Sequence, residues 1–425
     1  MKSATPESTN TLKSRPAWGI RHTFDALGNE QFRLLWFGML AAQGAMQMNI
    51  VNRAWLAYTL SGSALALGAV SLAQGLPWSI LSLLGGAIAD RVNKRNLLIL
   101  VMFSLSALAI TNALLIHLKV IRIWHLVVIG LFQGTIFAFN MPARQALIPE
   151  VVGDDLLSNA LALNATGMNL NRVFAPSLAG LLIGVNPALS FDLVAACYCA
   201  SALLLLRLPS RRRKSESRSR SPFLDIADGV AYMFRDRTLL VFMVMAFVPV
   251  FVGMPYRQLL PVFQQTVLHV GPRSLGLMYT AVGIGALVGS LTVASLAASP
   301  RKVAIQGVAG VLFGLFLMMF ALSPSLPVSL GMLVLVGLAS QGYMTINSVL
   351  LMEAADPAYY GRVMSIYMIT FSMMPVAMLP IGFLVDQFGA PATEAVAGIV
   401  LAGLMLMFLS GGRRVIAQGR RRDTK

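Results

Sequence analysis

Two arginines sit inside long apolar stretches of this chain, each among side-chain amides. Arg53 follows Gln43, Gln47, Asn49 and Asn52, and Arg172 follows Asn164 and Asn171. A guanidinium is a planar, permanently charged fork that suits carboxylate and catecholate oxygens. At about 100° per residue along a helix, Asn49, Asn52 and Arg53 share an arc of roughly 100°. Gln43 and Gln47 form a neighbouring stripe, and Asn164, Asn171 and Arg172 lie on a comparable arc. Gln74, Gln133, Asn140, Gln341 and Asn347 add uncharged hydrogen-bonding groups from other apolar stretches. Two readings stand open. In one, Gln47, Asn49, Arg53, Gln74, Gln133, Asn164, Arg172 and Gln341 line a central cavity that attracts an anionic or polyhydroxylated molecule. In the other, the arginines hold helices together through backbone carbonyls and amides. Arg144, closer to the end of its stretch, reads as structural.

Groups for bond-making chemistry are sparse. Cys197 and Cys199 are two apart on one helix and point about 200° apart, so they share neither a metal nor a disulfide. His22, His117, His125 and His269 have no ligand spacing. Nucleophile elbow, phosphate loop and paired carboxylates are all missing, so the expectation is no enzyme, no metal and no cofactor.

The elements that carry these residues follow from composition. The chain is 57% hydrophobic and 12% charged, with a mean hydropathy of +0.73. A soluble protein could not solvate that surface, so the bilayer is the expected solvent. Lysine and arginine crowd the N-terminus, the middle (Arg211, Arg212, Arg213, Lys214, Arg218, Arg220) and the C-terminus (Arg413, Arg414, Arg420, Arg421, Arg422). Each block between them has room for about six helices at ~20 apolar residues each. The predicted spans are 32–59, 65–89, 96–117, 123–146, 158–184 and 187–207, then 238–262, 273–297, 302–322, 326–350, 363–386 and 391–410. The fold class is thus an all-α integral membrane protein with twelve transmembrane helices in two six-helix bundles. Its parts are a lead at 1–30 with a short amphipathic piece near Phe24, a bundle at 31–207, a basic linker at 208–237, a bundle at 238–411 and a tail at 412–425.

An even number of spans puts all the basic segments on one side. Arg91, Lys94, Arg95, Arg301, Lys302 and Arg362 fall on that side as well, against Lys119, Arg122 and Arg273 on the other. The positive-inside bias names the first side cytoplasmic, with both termini there. The net charge of +16 therefore reads as topology and contact with anionic lipid rather than nucleic-acid binding. The polar first thirty residues do not resemble a cleavable signal peptide. Traces of duplication accompany this pattern: Pro176, Gly180 and Gly184 punctuate the fifth span, and Pro380, Gly382 and Gly389 the eleventh. Repeats of this kind in membranes belong to transporters with a site between the halves.

The sharpest motif runs Gly86-Ala-Ile-Ala-Asp90-Arg91-Val-Asn-Lys94-Arg95. Gly86 permits close helix approach. Asp90 is placed to face the positive N-terminus of a helix near Gly361 and Arg362. Lys94 and Arg95 would anchor at headgroups. In this motif the chain resembles the major facilitator superfamily. Trp55 to Gly68, Pro142-Ala-Arg144-Gln145 to Pro149, and Gly361-Arg362-Val-Met-Ser365 resemble the transmembrane secretion effector branch, which holds the enterobactin exporter and macrolide-efflux proteins. The resemblance covers about residues 30–410. It implies that Gly86, Asp90, Arg91, Lys94 and Arg95 form a conformational latch, not a substrate site. The fifth-helix antiporter signature survives only in part, since Ala175 replaces the glycine before Pro176.

The resemblance implies a secondary transporter of the bacterial inner membrane, working as a monomer by alternating access. Its expected activity is proton-driven export of a siderophore, drug or metabolite. Uptake or facilitated diffusion by the same fold, and a non-transporting membrane receptor or assembly partner, are the alternatives. Proton coupling calls for a buried acid, and Asp192 and Glu353 are the candidates, although both, like Asp386, fall near span ends.

Overall fold

The computed structural model describes residues 20–209, 228, 231–296 and 299–412, and within them every regular element is helical. The Arg211 tract and the arginines of the tail lie outside the described residues. A short 3-10 helix, Ile20–Gly28, precedes the spans and holds Asn159 through the Ala26 amide at 3.0 Å. We number the spans α1 (Glu30–Ser61), α2 (Ala64–Arg91), α3 (Lys94–His117), α4 (Ile123–Gly153), α5 (154–183) and α6 (Pro187–Leu206). The second set is α7 (Arg237–Val267), α8 (Pro272–Leu296), α9 (Lys302–Ala321), α10 (Leu326–Ala354), α11 (Tyr360–Phe388) and α12 (Ala390–Ser410).

Helix starts follow local chemistry. Asn29, Asn93, Asn186 and Asp236 each accept from one or two amides of the first turn of α1, α3, α6 and α7. These caps satisfy donors that the helix itself leaves unpaired. Eleven of the helices are long and apolar enough to cross a membrane. The twelfth is α5, whose asparagines and Arg172 dilute its apolar character. It crosses beside α1, to which Trp36 Nε1 binds it through the Leu163 carbonyl at 3.1 Å, and Asn171 Nδ2 through the Leu40 carbonyl at 2.9 Å. Large apolar side chains such as Leu100, Phe132, Phe174, Leu291 and Met407 point outward, as lipid-facing residues must.

The two halves repeat one plan. In the first, α2 packs on α4 and α3 on α6; in the second, α8 packs on α10 and α9 on α12. Across the halves α5 meets α8 and α11 meets α2. Even the polar ties are duplicated: Lys94 at the start of α3 pairs with Glu150 in α4, and Lys302 at the start of α9 pairs with Glu353 in α10. Small residues make the close approaches. A Cβ on Gly180 would lie 2.8 Å from the Gly276 Cα, and one on Gly382 would lie 2.6 Å from the Ala64 carbonyl oxygen. These are the glycines that punctuate the fifth and eleventh spans.

Three boundaries differ from expectation. The fourth span runs on to Gly153, past Pro142 and Pro149, because neighbouring helices re-satisfy the groups a proline frees. Gly153 makes the turn into α5 with φ 71°, a left-handed conformation natural only to glycine. The seventh span reaches Val267 through two π turns, Pro249–Gly253 and Phe263–Val267. The eleventh is interrupted at Met373, between Tyr360–Ser372 and Met374–Phe388.

The connections at 62–63, 118–122, 184–186, 268–271, 322–325 and 389 mark one end of the molecule, here the far end. The other, which carries the arginine and lysine connections, is the basic end.

Gly285 packs against the α10 backbone at Val334 and Leu338, whereas nothing lies near a Cβ on Gly331. Overpacking at such a site costs roughly 1–3 kcal/mol. Gly285→Val is expected to lower the melting temperature of the detergent-solubilised protein by several degrees, and Gly331→Ala to leave it unchanged. Equal melting of the two variants would contradict this packing.

Candidate functional site

Both halves contribute to a cavity of about 380 Å³. Its polar wall is built by α1 (Gln43, Gln47, Asn49, Arg53), α2 (Ser71, Gln74), α4 (Gln133), α5 (Arg172) and α7 (Arg257, Gln258). Its apolar wall includes Met46, Ile50, Trp78, Phe137, Met168, Phe371, Met374 and Pro375. The size suits a small organic ligand, for which pockets run to roughly 300–1,000 Å³.

Among the described residues, three guanidinium groups and no carboxylate line this space. Arg53 Nη1 donates to Gln133 Oε1 at 3.4 Å, and Arg172 Nη1 donates to Gln341 Oε1 at 3.2 Å. Each arginine has five N–H groups, so one amide contact leaves most of the fork available to the cavity. No acidic partner for Arg53, Arg172 or Arg257 occurs among the described residues. The field in the cavity is therefore positive, and its donors outnumber its acceptors.

Of the eight residues expected here from sequence, Gln47, Asn49, Arg53, Gln74, Gln133 and Arg172 line the cavity. Gln341 stands one hydrogen bond behind, on Arg172. Asn164 does not line it; its amide rests on the Met168 sulfur at 3.8 Å. Other amides of the same arcs serve packing: Asn52 Oδ1 accepts from Ser190 of α6 at 2.7 Å, and Asn171 binds α1. Arg144 is buried and donates to Gln43 Oε1 at 3.3 and 3.4 Å, tying α4 to α1 behind the wall. Sequence reasoning missed Arg257 and Gln258, although an arginine inside an apolar span was the very signal that singled out Arg53.

The acids chosen for coupling are elsewhere. Asp192 meets His117 Nε2 at 3.0 Å on an exposed surface, and Glu353 is held by Lys302. In the basic-end motif, the side chains of Gly86, Asp90 and Arg91 lie outside the described residues. Lys94 and Arg95 do not reach out to headgroups. Lys94 pairs with Glu150, and Arg95 donates to the carbonyls of Leu205 (3.0 Å) and Leu206 (2.5 Å), so both bind within the bundle.

The halves are fastened on the far side of the cavity. Asp386 at the end of α11 accepts from the Ser63 hydroxyl at 2.6 Å and from the amides of Ala64 and Leu65 at 2.7 and 3.1 Å. It thus caps α2 from the opposite half, where the helix terminus is positive. Ser177 and Thr280 join α5 to α8 at 2.7 Å, and Gln265 donates to Thr59 at 2.9 Å. These bonds between the halves, with Arg172 to Gln341, lie from the level of Arg172 to the far end.

The chain matches the transmembrane secretion effector family over residues 21–416. It belongs to that family of major facilitator transporters. Among its relatives, it is 27% identical over 367 residues to the staphyloferrin A transporter of Staphylococcus aureus, covering 85% of this chain and 91% of that protein. With macrolide efflux protein A of Streptococcus pyogenes it shares 21% identity over 403 residues, covering 93% and 98%. The crystal structure of the nucleoside transporter NupG superposes with a TM-score of 0.71 at 16% identity, over 90% of this chain and 99% of that one, which establishes the fold. This secretion effector is thus a multi-pass membrane transporter of a small molecule, built on a two-bundle plan with a cationic chamber between the bundles.

Charge-assisted hydrogen bonds such as those on Asp386 contribute about 1.5–3 kcal/mol each. Asp386→Ala is expected to open the far seam in a larger share of molecules. In a Cys197→Ser/Cys199→Ser background, a cysteine replacing Ser177 should then react with a membrane-impermeant maleimide about tenfold faster or more. An unchanged labelling rate would show that Asp386 does not hold the seam.

Proposed function

We propose that this protein exports an anionic small organic molecule across the bacterial inner membrane by alternating access. The observation that carries this reading is the trio Arg53, Arg172 and Arg257, contributed by both halves to one cavity that, among the described residues, no carboxylate lines. A guanidinium near mid-membrane costs roughly 2.5–3.5 kcal/mol on insertion scales. Three of them around one space mark a place where water or an anion compensates the charge. Trp78, Phe137 and Phe371 suit the apolar body of such a ligand.

Positive-inside bias makes the basic end cytoplasmic, with both termini there. On that assignment the far end is the closed one, and the cavity belongs to an inward-facing state ready to load from the cytoplasm. Asp386 and the glycine seams form the outer gate. Gly86, Asp90, Arg91, Lys94 and Arg95 form the counterpart that fastens the inner side in the outward-facing state. A monomer suffices for this cycle, and a proton gradient is its driving force.

The relatives are named for transport of staphyloferrin A and for macrolide efflux. The cationic cavity favours the former class, so staphyloferrin A is the first molecule to test, with a macrolide for comparison. In everted membrane vesicles, export appears as accumulation inside when the membrane is energised. Loss of one charge-assisted bond worth about 1.5–3 kcal/mol predicts that Arg53→Gln, Arg172→Gln or Arg257→Gln slows anion transport by about 10–150-fold. A neutral molecule should be affected far less. Equal losses for both classes would mean that the arginines are scaffold, and accumulation only in right-side-out vesicles would mean uptake.

A further inference from the structure

α12 contains an acid that its sequence position does not flag, Glu394. It is fully buried, and neither carboxyl oxygen has a hydrogen-bond partner among the described residues. Glu394, Gly398, Leu401 and Met405 recur at helical spacing and share one buried face. Gly398 packs against Gly314 and Met318 of α9, Met405 against Gly310 of α9, and Leu401 against Gly253 of α7. The carboxyl group thus enters the seam where α7, α9 and α12 meet.

Little in that seam can answer a negative charge. Residues 303–321 of α9 include no ionisable side chain. Asp386 alone ionises in the 374–388 half of α11, and it is engaged on α2. From α7, the Tyr256 hydroxyl lies within electrostatic reach of Glu394, while the next residue, Arg257, lines the cavity. A buried charge without a partner costs several kcal/mol. The seam therefore accommodates the carboxylic acid, and the carboxylate would need water or a cation to enter.

The neighbouring stretch of α7 is irregular on both sides. Tyr256–Val262 lies between the π turns Pro249–Gly253 and Phe263–Val267, and it carries Pro261. Surplus residues in π turns can be absorbed when a segment changes register or rotates. Any such movement would carry Arg257 and Gln258, the cavity residues of α7, with it.

From this we infer that Glu394 is a proton-binding site, and that its occupancy stabilises the packing of Tyr256–Val262 seen with the far end closed. Uptake of one proton converts the carboxylate to the neutral acid and lets the seam close dry. Loss of that proton hydrates the seam and releases the α7 segment. In an exporter, a proton taken from outside would thus return the empty carrier to the loading state and then leave to the cytoplasm. The link to flux rests on the export reading above, whereas the proton site itself does not.

The test uses the full-length protein in lipid bilayers and needs no substrate for its first arm. Infrared difference spectra across a pH titration should show a buried protonated carboxyl band that Glu394→Gln removes. Glu394→Asp should retain that band at a shifted midpoint, and Asp192→Asn and Glu353→Gln should leave it in place. If no such band exists, or if it survives Glu394→Gln, the inference fails. Should Glu394→Gln fail to fold, a band with unaltered frequency and midpoint in Glu394→Asp overturns the inference as well. In the second arm, proteoliposomes are given a gradient of one pH unit, which sustains at most about a tenfold concentration ratio per proton. Staphyloferrin A should accumulate toward that limit with the native protein and stay near a ratio of about one with Glu394→Gln, which still exchanges labelled for unlabelled compound. A Glu394 band without staphyloferrin A flux would sink the export of this anion and keep the proton site. Gradient-driven flux unaffected by Glu394→Gln would keep the export and overturn the role of Glu394 in driving it.

Discussion

Placing positive charge inside a hydrocarbon slab is the constraint from which the architecture follows. Arg53, Arg172 and Arg257 lie within spans, half-buried and without carboxylate partners among the described residues. Turned toward lipid, each would be costly; packed in a dry core, each would need hydrogen-bonding partners for its fork, as Arg144 finds in Gln43. The remaining solution is a wetted interior, and it dictates how the helices face. The polar sides of α1, α2, α4, α5 and α7 turn inward onto one space, so the bundles cannot close on each other throughout their length. What holds them must then sit beyond the arginines. The glycine seams of α5 with α8 and α11 with α2, and the Asp386 cap on α2, occupy that position.

Much of this was legible from residues alone, for a physical reason. Span-length apolar runs and lysine–arginine punctuation are one-dimensional signals, because the bilayer is a one-dimensional solvent gradient. An arginine in a span is another, and it located Arg53 and Arg172. What the chain does not display is the angle at which each helix meets its neighbours. Asn49 and Asn52 share an arc, yet Asn49 lines the cavity and Asn52 holds Ser190. Asn164 shares its arc with Arg172 and stays outside the lining. Glu394 is only four residues past the start of α12, which by depth alone suggests a solvated end. Its burial is a product of α7 and α9 covering that turn. Lys94 and Arg95 illustrate the same limit: basic residues at a helix start usually meet headgroups, but here Glu150 and the end of α6 lie within reach.

The duplicated plan sharpens where the halves differ. Matching ion pairs at the starts of α3 and α9, and matching glycine seams at α5–α8 and α11–α2, give the molecule two similar frames. The cavity is not shared evenly between them. Most of its polar wall belongs to α1, α2, α4 and α5, with α1 an uninterrupted helix of 32 residues. The second half contributes through α7 and α11, the spans broken by π turns and by the interruption at Met373. Each break lies beside the residues that touch the cavity: Arg257 and Gln258 between the π turns, and Met374 and Pro375 just past Met373. Broken helices have backbone groups and dihedrals free to change at low cost, and unbroken ones do not. The first half thus presents its donors from continuous helices, and the second lines the same space with its interrupted ones. Gly75 sits where the two meet, since a Cβ there would overlap the Pro375 ring at 2.7 Å or less. The contact of α2 with α11 beside the cavity is thus made by a residue that adds no side chain to it.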